Sequence, residues 1–282
     1  MQSEVPSDPR RAAAYMVAAS FSFAAMAALV RVASTGSSVF TTVFVRSAVI
    51  AVLMLIVVRA RGGGVRFVNH RLLFVRAVCG FLAMLCYFWA LGNARLADAI
   101  TLQYTSPLFV AAMAPFAVGE KVRGSTVGWL LFGFLGVGMV VQPEGEIGAG
   151  ALAALASAAL AAVAYLAVRW LRQTDHPDAI VLYFALFSML CSSPASIGLV
   201  RDPPSPEELA ALLGVGLFAA GGQVGMTRAY RYGEAAVVSG FSYATVALGV
   251  VIGAAVFGEP PSALSLVGAS VVAAAGVALA RS

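Results

Sequence analysis

Charge is scarce in this chain: Asp, Glu, Lys and Arg make up 11% of its 282 residues, against about a quarter in a soluble domain. That is too little to coat a globule in water. Histidine occurs only as His70 and His176, both in Arg-bearing connections, and no His, Asp or Glu cluster converges inside an apolar run. Acid–base or metal catalysis would need such a cluster, so the composition argues against an enzyme, and no cofactor or metal is expected. Cysteine is sparse too. Cys79, Cys86 and Cys191 sit singly in apolar runs, which gives neither a disulfide framework nor a CxxC site and leaves packing as their role. The formal charge of +5 comes from Arg residues in short clusters rather than from a basic stripe, which speaks against nucleic acid as a partner.

What abounds is apolar sequence. It makes up 61% of the chain and gathers into runs of about 20 residues, each long enough to cross a hydrocarbon layer roughly 30 Å thick. Ten spans fall near 13–33, 38–58, 72–92, 97–118, 124–142, 148–170, 179–200, 208–230, 235–257 and 263–280. Lipid offers no partner for backbone N–H and C=O groups, and the runs lack the alternation of barrel strands, so each is predicted to be a helix. The first run follows Arg10 and Arg11 as a secretory signal would, but no polar domain comes after it, and it reads as a retained span. With a cytoplasmic N-terminus, one face collects Arg10, Arg11, Arg59, Arg61, Arg66, Arg71, Lys121, Arg123, Arg169, Arg172, Arg228, Arg231 and Arg281, and the other only Arg31, Arg95 and Arg201. Basic residues concentrate in cytoplasmic connections, so both termini are placed in the cytoplasm of a bacterial cell, with the chain in its inner membrane. Trp89, Trp129 and Trp170 fall near span ends, where indole rings favour the headgroup boundary.

The second half repeats the first. An offset of 139 lays Ala90 on Ala229, Ala97 on Ala236, Tyr104 on Tyr243, and Gly119-Glu120 on Gly258-Glu259. Five helices per half is an odd number, so the second copy enters the membrane upside down, which is the construction of secondary transporters. The expected organisation is a tail over 1–12, a first five-helix repeat over 13–142 and a second, inverted repeat over 148–280, forming an all-α membrane protein of ten transmembrane helices around a central cavity.

Particular residues carry a family likeness. Pro107-Leu108-Phe109, then Phe116 through Lys121, Gly128 and Gly136-Val137-Gly138 resemble the fourth and fifth spans of the EamA-type branch of the drug/metabolite transporter superfamily. Leu248 through Pro260, with Gly268 and Gly276, resembles the equivalent spans of the other half, and Val45-Arg46, Arg76, Gly80 and Ala90-Leu91 are similar to its second and third spans. The aromatic-rich interior is most similar to the YddG-type exporters of aromatic amino acids. The resemblance implies a basket in which spans 1, 3, 4, 6, 8 and 9 enclose a central path, with spans 5 and 10 outside it. Pro260-Pro261 after the second Gly-Glu departs from the basic residue of the general pattern.

A charge within the bilayer is costly and therefore a functional candidate, which singles out Arg46 in span 2. The competing reading, favoured by a span 2 lying beside the cavity, is that Arg46 bonds helix-end carbonyls or snorkels outward. Arg76 reads as an interfacial anchor. The helix-end acids Glu120 and Glu259 read as caps, with a gate as the alternative. The path itself is assigned to Met84, Tyr87, Gln103, Tyr104, Tyr165, Gln223, Met226, Ser239 and Tyr243, at helical spacings that set Met84 opposite Gln223 and Tyr87 opposite Met226. Such a lining suits a solute with an aromatic body and a zwitterionic head; an interior core of packed rings is an equal alternative for any one of them. Gly221 and Gly225, Gly249 and Gly253, and Gly124 and Gly128 have the spacing of close helix contacts. Pro107, Pro115 and Pro194 fall inside helical runs and are expected to kink them; Pro107 and Gly80 are the gate or hinge candidates, with a static kink as the rival for Pro107.

These readings add up to an exporter of aromatic or hydrophobic amino acids and related metabolites by alternating access, whose partners are a small-molecule substrate and the lipid bilayer. The oligomeric state is open, with a monomer allowed. A cationic drug, a nucleoside or a phosphorylated sugar is the rival cargo in the same fold, and a non-transporting receptor or scaffold is the rival of another class.

Overall fold

A computed structural model of the chain describes residues 8–33, 37–62, 64–93, 96–142, 148–195, 197, 199, 203–258 and 261–281. Its helices are α1 (Pro9–Ala33), α2 (Val39–Ala60), α3 (His70–Asn93), α4 (Leu96–Gln103), α5 (Ser106–Ala117), α6 (Gly124–Val141), α7 (Ala149–Leu171), α8 (Pro177–Ser192), α9 (Pro206–Tyr232), α10 (Ala235–Gly240), α11 (Ala244–Phe257) and α12 (Ala263–Arg281). No strand occurs among the described residues. Nine helical segments there are long and apolar enough to cross a bilayer, α10 and α11 counting as one. The tenth expected span, 97–118, is present as α4 followed by α5.

Helix ends follow local chemistry. Ser38 begins α2 by accepting the Thr41 N–H at 3.2 Å, and Ser205 begins α9 by accepting that of Glu208 at 3.2 Å; each satisfies a donor that the first turn would leave bare. Gly119 and Gly258, equivalent under the repeat, close spans 4 and 9 with φ of 68° and 65°, a left-handed turn that glycine alone adopts without strain. In the first half this helix stop sets the next residue, Glu120, beside the helix end. In span 7, α8 ends at Ser192 and passes into a tight turn, Ser193–Ala195, with Pro194 at its centre.

Two breaks fall in matching places. In the first half α4 stops at Gln103 and α5 starts at Ser106 with Pro107 in its opening turn, where its missing N–H is harmless. In the second half a tight turn, Phe241–Tyr243, separates α10 from α11. Hydroxyls hold both: Thr105 donates to the Leu102 carbonyl at 2.6 Å, and Ser242 to that of Ser239 at 2.7 Å. Pro107 therefore marks a start rather than a kink in a continuous rod, and the second break forms with Val246 in the equivalent position.

Helix pairing has the symmetry of two exchanged halves. Span 1 packs on span 8 as span 6 packs on span 3, spans 4 and 9 lean on spans 6 and 1 respectively, and spans 2 and 7 and spans 5 and 10 pair across the axis. Loop contacts sort the ends by face. Arg61 after α2 pairs with Asp178 of α8, and the Asp8 N–H donates to Tyr232 at the end of α9 at 2.9 Å, so these ends share the face that carries both chain ends. On the opposite face Ser37 bonds Glu208, and the Gln142 amide donates to Ser262 at 2.8 Å.

Small residues allow the closest approaches, as in lipid they must, since apolar surface gains nothing by leaving acyl chains. A Cβ on Gly136 would lie 2.9 Å from the Gly268 carbonyl where α6 crosses α12. On α9, Gly221 and Gly225 abut Ser22 and the Tyr15 carbonyl of α1, whereas Gly124, Gly128 and Gly249 face open space despite the same spacing. Large side chains such as Phe116, Leu135, Leu190 and Val251 project outward, as expected of a lipid-facing belt.

Candidate functional site

A cavity of about 150 Å³ lies where the halves meet, room for roughly five waters. Met26 of α1, Arg46 of α2, Gly80, Met84, Tyr87 and Phe88 of α3, Gln103 of α4, Ser157 and Tyr165 of α7, Phe184 of α8 and Gln223 of α9 line it. Spans 2 and 7 contribute to this wall and span 9 does not, which corrects the expected enclosure; spans 5 and 10 stay outside.

Both arginines enter the cavity. Arg46 is 4% and Arg76 3% exposed, so neither snorkels and Arg76 is no interfacial anchor. The reason is steric. The Arg76 guanidinium lies against Gly80, one turn further along α3, where a Cβ would overlap it, and stacks 4.1 Å from the Phe184 ring centre. One of its nitrogens donates to Gln223 Oε1 at 3.0 Å, while its Nε has no partner. Arg46 donates to the Met84 sulfur at 3.5 Å, a weak acceptor. Every partner is neutral: among the described residues no carboxylate pairs with either guanidinium. A cation at membrane depth costs about 2.5–3.5 kcal/mol by insertion scales, so two unpaired ones leave a strong demand for negative charge.

The other path candidates divide. Met84, Tyr87, Gln103, Tyr165 and Gln223 line the cavity, with Gln103 Oε1 buried and unpaired and Tyr165 stacked 5.6 Å from Tyr230. Gln223 and Met84 share it as the repeat register places them. Tyr104, Met226, Ser239 and Tyr243 do not line it. Met226 is core, Ser239 donates to the Ala236 carbonyl at 2.9 Å, and Tyr104 and Tyr243, at the two breaks, lie 6.5 Å apart by ring centre. Phe88, Phe184 and Met26 went unread in the sequence because phenylalanine and methionine at helical spacing look the same in a core and in a cavity wall. The Arg76 and Gly80 pair, four residues apart, was the legible clue.

A second polar cluster closes the face that carries the chain ends. Turned back by Gly119, Glu120 accepts from Arg169 Nε of α7 at 2.5 Å and from the Ala235 N–H at the start of α10 at 2.6 Å. Arg169 also donates to the Tyr230 carbonyl of α9 at 3.0 Å. One carboxylate of the first half thus ties α7 and α10 of the second, and α9 through Arg169. Burial, then the neighbouring Arg169, holds the Arg172 guanidinium below its usual range. Glu259, its counterpart by the repeat, lies outside the described residues.

The profile of the EamA-like transporter family matches residues 10–142 and again residues 148–281. The chain belongs to the EamA-like transporter family. A pseudopaline exporter, CntI, of Pseudomonas aeruginosa is 33% identical over 267 residues, covering 94% of each chain. A riboflavin transporter of Vibrio cholerae is 26% identical over 274 residues, covering 94% of this chain and 91% of its own, and one of Rhizobium johnstonii is 27% identical over 207 residues, covering 73% and 68%. A protein solved by crystallography shares the fold with a TM-score of 0.76 at 20% identity, covering 93% of this chain and 96% of that one. The chain is accordingly a multi-pass membrane transporter of a bacterial family, with a small-molecule substrate.

Proposed function

We propose that the chain exports an amino-acid-like metabolite with a ring or comparable apolar body by alternating access, from the cytoplasm across the bacterial inner membrane. The observation that carries this reading is the cavity between the halves, whose walls combine Tyr87, Phe88, Tyr165 and Phe184 with Gln103, Gln223 and two arginines. Rings bind a flat apolar body, and the amides and guanidiniums orient a carboxylate. Inverted halves meeting at such a site support exchange between two openings, and the Arg excess on the face of the chain ends supports its cytoplasmic placement. A cationic drug fits poorly, since it would approach two like charges. The test is protein-dependent efflux from proteoliposomes loaded with labelled phenylalanine, tryptophan, phenylacetate or a cationic dye. Movement of the ring-bearing acids is expected, and flux of the dye alone would overturn the assignment.

A further inference from the structure

From Arg46 and Arg76 we infer that the transported solute carries two acidic groups, one for each guanidinium, joined by a short ring-bearing spacer. The inference rests on the transport reading above and narrows it to a chemical class. Arg76 stands six residues into α3 from the face of the chain ends, and Arg46 seven residues into α2 from the opposite face. At 1.5 Å per residue these are depths of about 9 and about 10 Å, so the two cations flank the midplane from either side within one cavity. Gln223 bonds Arg76, and Gln103, seven residues into α4 and so at about the depth of Arg46, shares the cavity with a buried, unpaired Oε1.

A zwitterion with a single carboxylate would neutralise one guanidinium and set its ammonium against the other, so an amino-acid-like solute needs a second acid for tight seating. A monoacid would leave one cation bare. Two carboxylates, one at each end of a ring, would accept the forked donors of both arginines, while the spacer lies along Met84, Tyr87 and Phe88. Gly80 is a positioning residue for this arrangement, because only a missing side chain lets the Arg76 guanidinium lie between α3 and Phe184.

The experiment uses the full chain in proteoliposomes and a matched set of probes: 4-carboxyphenylacetate, its ring monoamide, phenylacetate and phenyl phosphate. Flux of each is measured, and phenylglyoxal modification of Arg46 and Arg76 is read by peptide mass with and without each probe. The diacid is expected to move at least tenfold faster than either monoacid and to protect both arginines. Arg46→Gln and Arg76→Gln are expected to lower diacid flux to the monoacid rate, Arg76→Lys to lower it less, and Arg66→Gln, on an exposed connection, to leave it unchanged. Equal flux of the diacid and its monoamide in the unaltered protein overturns the inference whatever the variants do. Faster flux of phenyl phosphate than of the diacid overturns it in favour of one doubly charged head. Protection of both arginines without flux of any probe upholds the two-point site and sinks the transport reading, whereas absence of both overturns the two together.

Discussion

Glu120→Gln isolates the contribution of the clasp on the face of the chain ends. The glutamine keeps one carbonyl oxygen, so one of the two bonds, to Arg169 or to the Ala235 N–H, can survive; the charge cannot. At a separation of about 4 Å between charge centres and an effective dielectric near 20, the lost attraction is at most about 4 kcal/mol. The partial exposure of Glu120, with 15% of its side chain open, reduces this to about 2 kcal/mol, in line with a hydrogen bond to a charged group. If the clasp holds only while this face is shut, the substitution shifts the equilibrium toward the open form by roughly thirtyfold. The assay is the rate at which a membrane-impermeant maleimide reaches Met84→Cys from this face, in a background lacking Cys79, Cys86 and Cys191. A rate in Glu120→Gln equal to that of the parent would refute the reasoning, since the clasp would then be present in both forms or in neither.

Gly80→Ala puts a methyl group into the Arg76 guanidinium, so diacid flux should fall at least tenfold with little change in the melting temperature in detergent; unchanged flux would show that Arg76 needs no such seat. Gly136→Leu, at the α6–α12 crossing, should instead lower the melting temperature through overpacking of about 1–3 kcal/mol, checked by unfolding in detergent. Pro107→Ala should leave flux within about twofold, because the second half breaks at Tyr243 without a proline; a tenfold loss would restore Pro107 as a hinge. No carboxylate or imidazole lines the cavity among the described residues, so flux of a fully ionised diacid should vary less than about twofold between pH 6.5 and 8, and a steep profile in counterflow would point to a titrating group elsewhere.

Sequence alone determined the number of spans and the class. Ten apolar runs in a solvent that satisfies no backbone group have one solution, the helix, and run boundaries depend on local composition, so the expected spans fall close to the observed ones. The Gly-Glu repeat was legible for the same reason, since a left-handed stop is a local need met by glycine. The direction of a side chain about its helix axis is not local. Arg46 was legible as a costly charge within the bilayer, yet it also read as snorkelling or bonding helix ends, and Arg76 as an anchor, because a long cation in an isolated helix does reach for water. Only the packing of α3 against α8, with Gln223 of α9 within reach, offered Arg76 an amide, a ring face and the space above Gly80 instead. Tyr243 read as path and Phe184 went unread for a related reason: an aromatic at helical spacing has no sequence mark that tells wall from interior. The matching break at Phe241–Tyr243 was likewise hidden, because without a proline an interruption carries no single-residue mark, and a serine such as Ser242, whose hydroxyl bonds the Ser239 carbonyl there, sits equally well in a continuous helix.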